Sequence, residues 1–261
     1  MIEHGRIFAN ENSYTTPVDR KTSILPPTMA CYSRVIGIVF SSSRKARRGT
    51  YDGQTWSDSS IDIFNALEIA GCRFDIQRMN ILHSFDGPAV FVANHMSILE
   101  TFILPSLINP VHHCTFVIKP SLMEYPVFKH VMRSRNPVVV SRDNPRQDLI
   151  TVLEEGSKRL ADGISIVLFP QTTRTTQFDP SQFNSLGVKL AKRAGVPVVP
   201  VALKTDAWSN GKRLKDFGPI DPSKTIHFTF GDPMTVEGNG KEQHEIAAAF
   251  IAEQLARWSN A

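Results

Sequence analysis

Short, unbroken apolar runs alternate along this chain with longer amphipathic stretches. Pro88–Ala93, Cys114–Ile118, Val138–Val140, Ile164–Phe169, Val196–Leu203 and Thr225–Phe230 have the length and β-branched content of buried strands. Between them lie segments with helical spacing. From Trp56, Ser57-Asp58-Ser59-Ser60 offers capping groups, and Ile61, Phe64 and Leu67 form a stripe that Gly71 ends. Ser97 is expected to cap a helix running through Leu104. Asn144-Pro145 supplies an N-cap followed by proline at the first helical position, opening a helix to about Asp162 that Gly163 closes. Phe183–Ala194, ended by Gly195, and Glu242–Trp258 complete the helices. This alternation predicts an α/β fold, with a mixed, largely parallel central sheet flanked by helices.

The 261 residues have room for one such domain and an N-terminal extension. Residues 1–30, rich in Asn, Ser, Thr and Pro, read as poorly ordered. The expected division is an extension over residues 1–50, partly disordered or membrane-associating, and a domain over residues 51–261. Residues 1–20 lack the apolar centre of a secretory leader. Val35–Phe40 is far shorter than the ~20 residues needed to span a bilayer. Cys31, Cys72 and Cys114 show neither paired nor metal spacing, which points to a reducing compartment. The net charge of +4 is unevenly spread: residues 187–215 carry seven Lys/Arg against one Asp206, and Arg44-Lys45-Ala46-Arg47-Arg48 follows the apolar run at Val35. Either cluster alone reads as a solvated face; a lipid partner is the alternative.

Two polar clusters directly follow buried strands, where open α/β sheets place their sites. The first is Asn94-His95-Met96-Ser97-Ile98-Leu99-Glu100. His95 and Glu100 are about 140° apart on a continuous helix and cannot meet there. They meet if His95 lies in the turn and Glu100 in the first helical turns. The carboxylate then orients one imidazole nitrogen and leaves the other to act as a base. The second cluster is Phe169-Pro170-Gln171-Thr172-Thr173-Arg174-Thr175, a loop suited to an anion or simply a solvated connection. No Gly-x-Ser-x-Gly is present for a serine hydrolase. The basic stretches lack interleaved aromatics, so nucleic acid is not the expected partner.

In order and spacing these clusters resemble the glycerolipid acyltransferase superfamily, which includes lysophosphatidic-acid acyltransferases. Asn94, His95 and Glu100 match its first block. Lys119, Pro126 and the strand ending at Arg142 match the second; Phe169, Pro170, Thr173 and Arg174 the third; Val196-Pro197-Val198-Val199-Pro200-Val201 the fourth. The likeness covers residues 60–235. It implies direct transfer of a fatty acyl chain from acyl-CoA or acyl carrier protein to the hydroxyl of a lysophospholipid such as 1-acylglycerol-3-phosphate. His95 would be the base and Glu100 its orienting acid; Lys119, Arg142, Gln171, Thr172, Thr173 and Arg174 would bind substrate. No metal or other cofactor is implied, and the expected location is cytoplasmic, peripheral to the inner membrane face. Glu100 stands where the family has Asp, and Gln171-Thr172 where it has Glu-Gly. The latter exchange leaves two alternatives, a different acceptor lipid or a catalytically silent lipid-binding homologue.

Overall fold

In the computed structural model, which describes residues 2–3, 6–7, 12–141, 143–171, 173–212 and 214–260, the chain begins with β1 (Ile2–Glu3), β2 (Arg6–Ile7) and β3 (Tyr14–Thr15). Helices α1 (Pro27–Arg47) and α2 (Gly53–Ile69) follow, then β4 (Phe74–Gln77), β5 (Val90–Ala93), α3 (Leu99–Ile108) and β6 (Cys114–Ile118). Next come α4 (Lys129–Ser134), β7 (Val138–Val139), α5 (Pro145–Ala161), β8 (Ser165–Leu168) and α6 (Leu186–Ala194). The chain closes with β9 (Val198–Lys204), β10 (Ile226–Phe230) and α7 (Lys241–Ser259).

Among the described residues, eight strands form one mixed sheet in the order β3-β4-β10-β9-β5-β8-β6-β7. Strands β9, β5, β8, β6 and β7 run parallel; β10 and β4, parallel to each other, are joined antiparallel to β9. The parallel strands read as unbroken apolar runs because both faces are covered. Phe91 and Ala93 of β5 pack with α1, α2 and α3, while Val90 and Val92 pack with α5, α6 and α7. Gly187 lets α6 lie on β5, since a Cβ there would come within 2.3 Å of Val92 Cγ1. Asn144 caps α5 by accepting the Gln147 N–H at 3.1 Å, and Gly195 ends α6 at φ +68°.

Several sequence expectations differ from the structure: α3 is capped at Ile98 rather than Ser97 and runs to Ile108, and α6 opens at Leu186 rather than Phe183. Helix α2 starts earlier than Trp56, because Asp52 is its cap and accepts the Thr55 N–H at 2.8 Å. Residues 12–50, read as an extension, supply β3 and α1. Strand β3 pairs antiparallel with β4, and Ala30, Cys31 and Val35 of α1 are buried in the core. The three cysteines are buried free thiols; burial raises Cys31 and Cys72 to about 12.

What holds the N-terminal segment is a buried charge. Glu68 of α2 accepts from Tyr14 Oη and Thr16 Oγ1, each at 2.7 Å, and pairs with Arg20 Nε at 3.1 Å. Removing one carboxylate strips three partners at once. Glu68→Ala should therefore lower stability by about 3 kcal/mol, seen as a lower urea midpoint with an unchanged slope.

Candidate active site

Strand β5 ends at Ala93 and the chain leaves the sheet through Asn94. Its side chain continues the ladder, donating to the Leu203 carbonyl at 2.8 Å and accepting the Leu203 N–H at 3.0 Å. With the turn anchored, His95 Nδ1 lies 2.8 Å from Glu100 Oε1, the geometry that a turn followed by a first helical turn permits.

Glu100 is fully buried, and donors surround it. Oε1 also accepts the N–H groups of Met96 at 2.8 Å and Ser97 at 3.0 Å. Oε2 accepts Ser97 Oγ at 3.0 Å and Thr205 Oγ1 at 2.6 Å. Burial pushes the carboxyl pKa up, but the hydrogen bond and charge of His95, with Thr205, outweigh it and leave the pKa below its ordinary value.

The loop after β8 closes on His95 from the other side. The Phe169 ring stacks on the imidazole with centroids 4.3 Å apart at 15°. Gln171 Oε1 accepts the His95 N–H at 2.7 Å, and the Thr175 N–H donates to the His95 carbonyl at 2.9 Å. Arg174 Nε points at His95 Nε2 from 3.4 Å, while its Nη1 pairs with Asp216 at 2.5 Å. A guanidinium only donates. Nε2 is therefore the acceptor nitrogen, and the proton sits on Nδ1, facing Glu100. Beside this cluster lies an apolar cavity of about 180 Å³. Its walls include Ile36 and Phe40 of α1, Ile98, Phe102, Val127 and Trp208, with Asp216 among them.

The sequence model of one family, described as acyltransferase, matches residues 73–204. The chain belongs to the acyltransferase family. It is 28% identical over 195 residues to a 1-acyl-sn-glycerol-3-phosphate acyltransferase of Pseudomonas aeruginosa, covering 73% of this chain and 72% of that protein. It is 30% identical over 148 residues to the chloroplastic 1-acyl-sn-glycerol-3-phosphate acyltransferase LPAT1 of Arabidopsis thaliana, covering 57% of this chain but only 38% of the plant protein. In structure it resembles the 1-acyl-sn-glycerophosphate (LPA) acyltransferase of Thermotoga maritima, with a TM-score of 0.66 at 18% identity over 90% of this chain and 95% of that one.

Of the acyltransferase's expected site residues, His95, Glu100, Gln171 and Arg174 come together. Thr173 and Lys119 are exposed and hydrogen-bond to none of these four. Arg142 and Thr172 lie outside the described residues. Gln171, expected to meet the acceptor, instead turns inward, with 4% of its surface exposed. Thr205 and Asp216 were not singled out from the sequence. The only local hint of Thr205 is a polar residue directly after a buried strand; nothing local marks Asp216.

Since the folded-state pKa of Glu100 lies below its ordinary value of 4.5, the charged group favours folding above that pH and the contribution fades as pH falls through the folded value. The stability advantage of wild type over Glu100→Gln should hold from pH 7 to about pH 5 and shrink only as the pH falls below 4.5 in urea titrations. Thr205→Val removes the 2.6 Å donor to the carboxylate. It should cut kcat about tenfold, equivalent to ~1.4 kcal/mol, with little change in acceptor KM.

Proposed function

We propose that this acyltransferase moves a fatty acyl chain from acyl-CoA or acyl carrier protein to the free hydroxyl of 1-acylglycerol-3-phosphate, with His95 as general base. The observation that carries this reading is the Glu100–His95 pair, with the acceptor nitrogen turned away from the carboxylate and a cavity alongside. Nε2 takes the hydroxyl proton as the acceptor oxygen attacks the thioester carbonyl carbon. Glu100 steadies the imidazolium that forms. The tetrahedral intermediate expels the thiolate, which takes the proton back from His95 and leaves as the free thiol. The thioester is already activated, so this route calls on no metal or redox cofactor. The apolar cavity is the place for an acyl chain.

Arg174 suits the acceptor phosphate. In the free protein its charge is met by Asp216; an incoming phosphate offers a stronger, doubly charged partner at the same guanidinium. Lys119 and Arg142 follow β6 and β7 in sequence and would add to the positive field. The intact His95–Glu100 geometry favours catalysis over a silent lipid-binding homologue.

Purified protein should consume a long-chain acyl thioester only when lysophosphatidic acid is added, and form the diacyl product. His95→Ala should lower kcat by ~10²–10⁴-fold while retaining the fold. Unchanged turnover in that variant would remove His95 from the mechanism. Arg174→Ala should raise acceptor KM more than donor KM.

We further propose peripheral docking on an anionic membrane face, such as the inner face of the cytoplasmic membrane. Among the described residues no helix is long and apolar enough to cross a membrane. Helix α1 instead exposes Met29, Ile36 and Phe40, seven and four residues apart and so on one face, and the half-exposed Phe217 lines the same cavity as Ile36 and Phe40. Arg44 and Arg47 line the adjoining cleft with His130. Desolvation, and after it the charges of Arg47, Lys129 and Arg133, lower the His130 pKa. Deleting residues 1–49 would also remove core contacts of α1, so point variants are the sound test. Arg44→Ala with Arg47→Ala should weaken flotation with anionic liposomes by about thirtyfold, at ~1 kcal/mol per charge. Ile36→Ser with Phe40→Ser should weaken it at any salt concentration. Unaltered flotation in both pairs would place the membrane contact elsewhere.

A further inference from the structure

We propose that Gln171 is a positioning residue for His95, fixing the turn that carries the base and leaving acceptor choice to other groups. The inference rests on the general-base reading of His95. A base on a turn has two kinds of freedom, that of its ring and that of its backbone. Glu100 and the Phe169 ring hold the imidazole. The backbone is held separately: Gln171 Oε1 takes the N–H at 2.7 Å and the Thr175 N–H meets the carbonyl at 2.9 Å.

Gln171 is itself anchored. The carbonyl of the preceding Pro170 accepts the Asn184 side-chain amide, and the same Asn184 offers its Oδ1 to the Leu186 N–H at 3.0 Å. The loop is thus tied to the start of α6, which packs on β5 beneath the turn. Chemistry at position 171 then has one requirement, an oxygen acceptor two methylenes from the backbone. Gln and Glu both meet it; Leu fills similar space without it. A buried N–H that loses its acceptor forces the turn to seek another partner, and the imidazole moves with it. Misplacement of about 1 Å is enough to cost on the order of 10²-fold in rate.

The test compares Gln171→Leu and Gln171→Glu in the full chain by two readouts, amide hydrogen exchange at His95 without substrate and steady-state kinetics with lysophosphatidic acid. The Leu variant should lose exchange protection at His95 and drop kcat by about 10- to 100-fold, with acceptor KM within about twofold of wild type. The Glu variant should keep the protection, recover most of the kcat lost in Leu, and preserve the ranking of acceptors across a lysolipid panel. A raised acceptor KM at unchanged kcat in Leu, a reordered ranking in Glu, or unaltered His95 exchange in Leu overturns the proposal. If circular dichroism shows Leu unfolded, the Glu variant decides alone: kept protection and ranking support the role, and loss of either ends it. If wild type turns over no lysolipid, the reading of function fails, while His95 exchange in the two variants still decides whether Gln171 holds the turn.

Discussion

A carboxylate with no exposed surface survives as a charge only if donors meet it on every side, and at Glu100 they arrive from two parts of the chain. The turn after β5 brings the imidazole and the N–H groups of Met96 and Ser97; Ser97 adds its hydroxyl; the end of β9 brings Thr205. Glu100 itself sits in the first turn of α3, where the helix dipole favours negative charge. Each donor is held in place by something else. Asn94 pins the turn to Leu203, and Ser97 Oγ accepts the Leu99 N–H at 3.1 Å. The position of His95 is therefore a consequence of how β5, α3 and β9 are joined.

That joining follows from the sheet. Strand β5 lies between β9 and β8, all three parallel, so the residues that follow each strand emerge at one edge. From β5 comes His95, from β8 Gln171 and Arg174, and from β9 Thr205. Register keeps these ends level, with Val92 opposite both Leu168 and Pro200. A slip of one residue would turn the buried faces of β5 inside out and carry the donors away from Glu100. Core packing and the site are fixed by the same pairing.

The physical range of each interaction explains what was legible in the sequence. Strand β6 falls on the expected Cys114–Ile118, and α5 opens at the expected Asn144-Pro145, because apolar runs and caps are local signals. The His95–Glu100 pair was legible for the same reason: its five-residue spacing admits one arrangement around a turn. Thr205 meets Glu100 across 105 positions, and Tyr14 meets Glu68 across 54. Only assembly of the sheet creates those contacts. Helix α1 gave little periodic signal because Ser33, Ser41, Ser42 and Ser43 dilute its stripe and few of its residues are buried. Strand β3 has two residues, too short for alternation to register. Gln171 lies in the expected loop with its side chain turned inward, a direction that a loop's sequence does not reveal.

The remaining step concerns charge. With its proton on Nδ1, the imidazole turns a hydrogen-bond donor toward the Glu100 carboxylate and leaves Nε2 facing away from it. On the proposed general-base reading, proton transfer would create a cation where an anion is already waiting, an arrangement that electrostatic preorganisation favours. Arg174 lies on the opposite side of the ring, and its positive charge opposes formation of that imidazolium. Asp216, bonded to Arg174 at 2.5 Å, moderates the opposition in the free protein. A phosphate replacing Asp216 as partner would moderate it further, since it carries more negative charge. On that reading an anionic acceptor would assist the transfer of its own hydroxyl proton. A neutral acceptor would leave Arg174 with Asp216 and gain no such assistance, so the preference for a phosphate-bearing acceptor should appear in kcat as well as in KM.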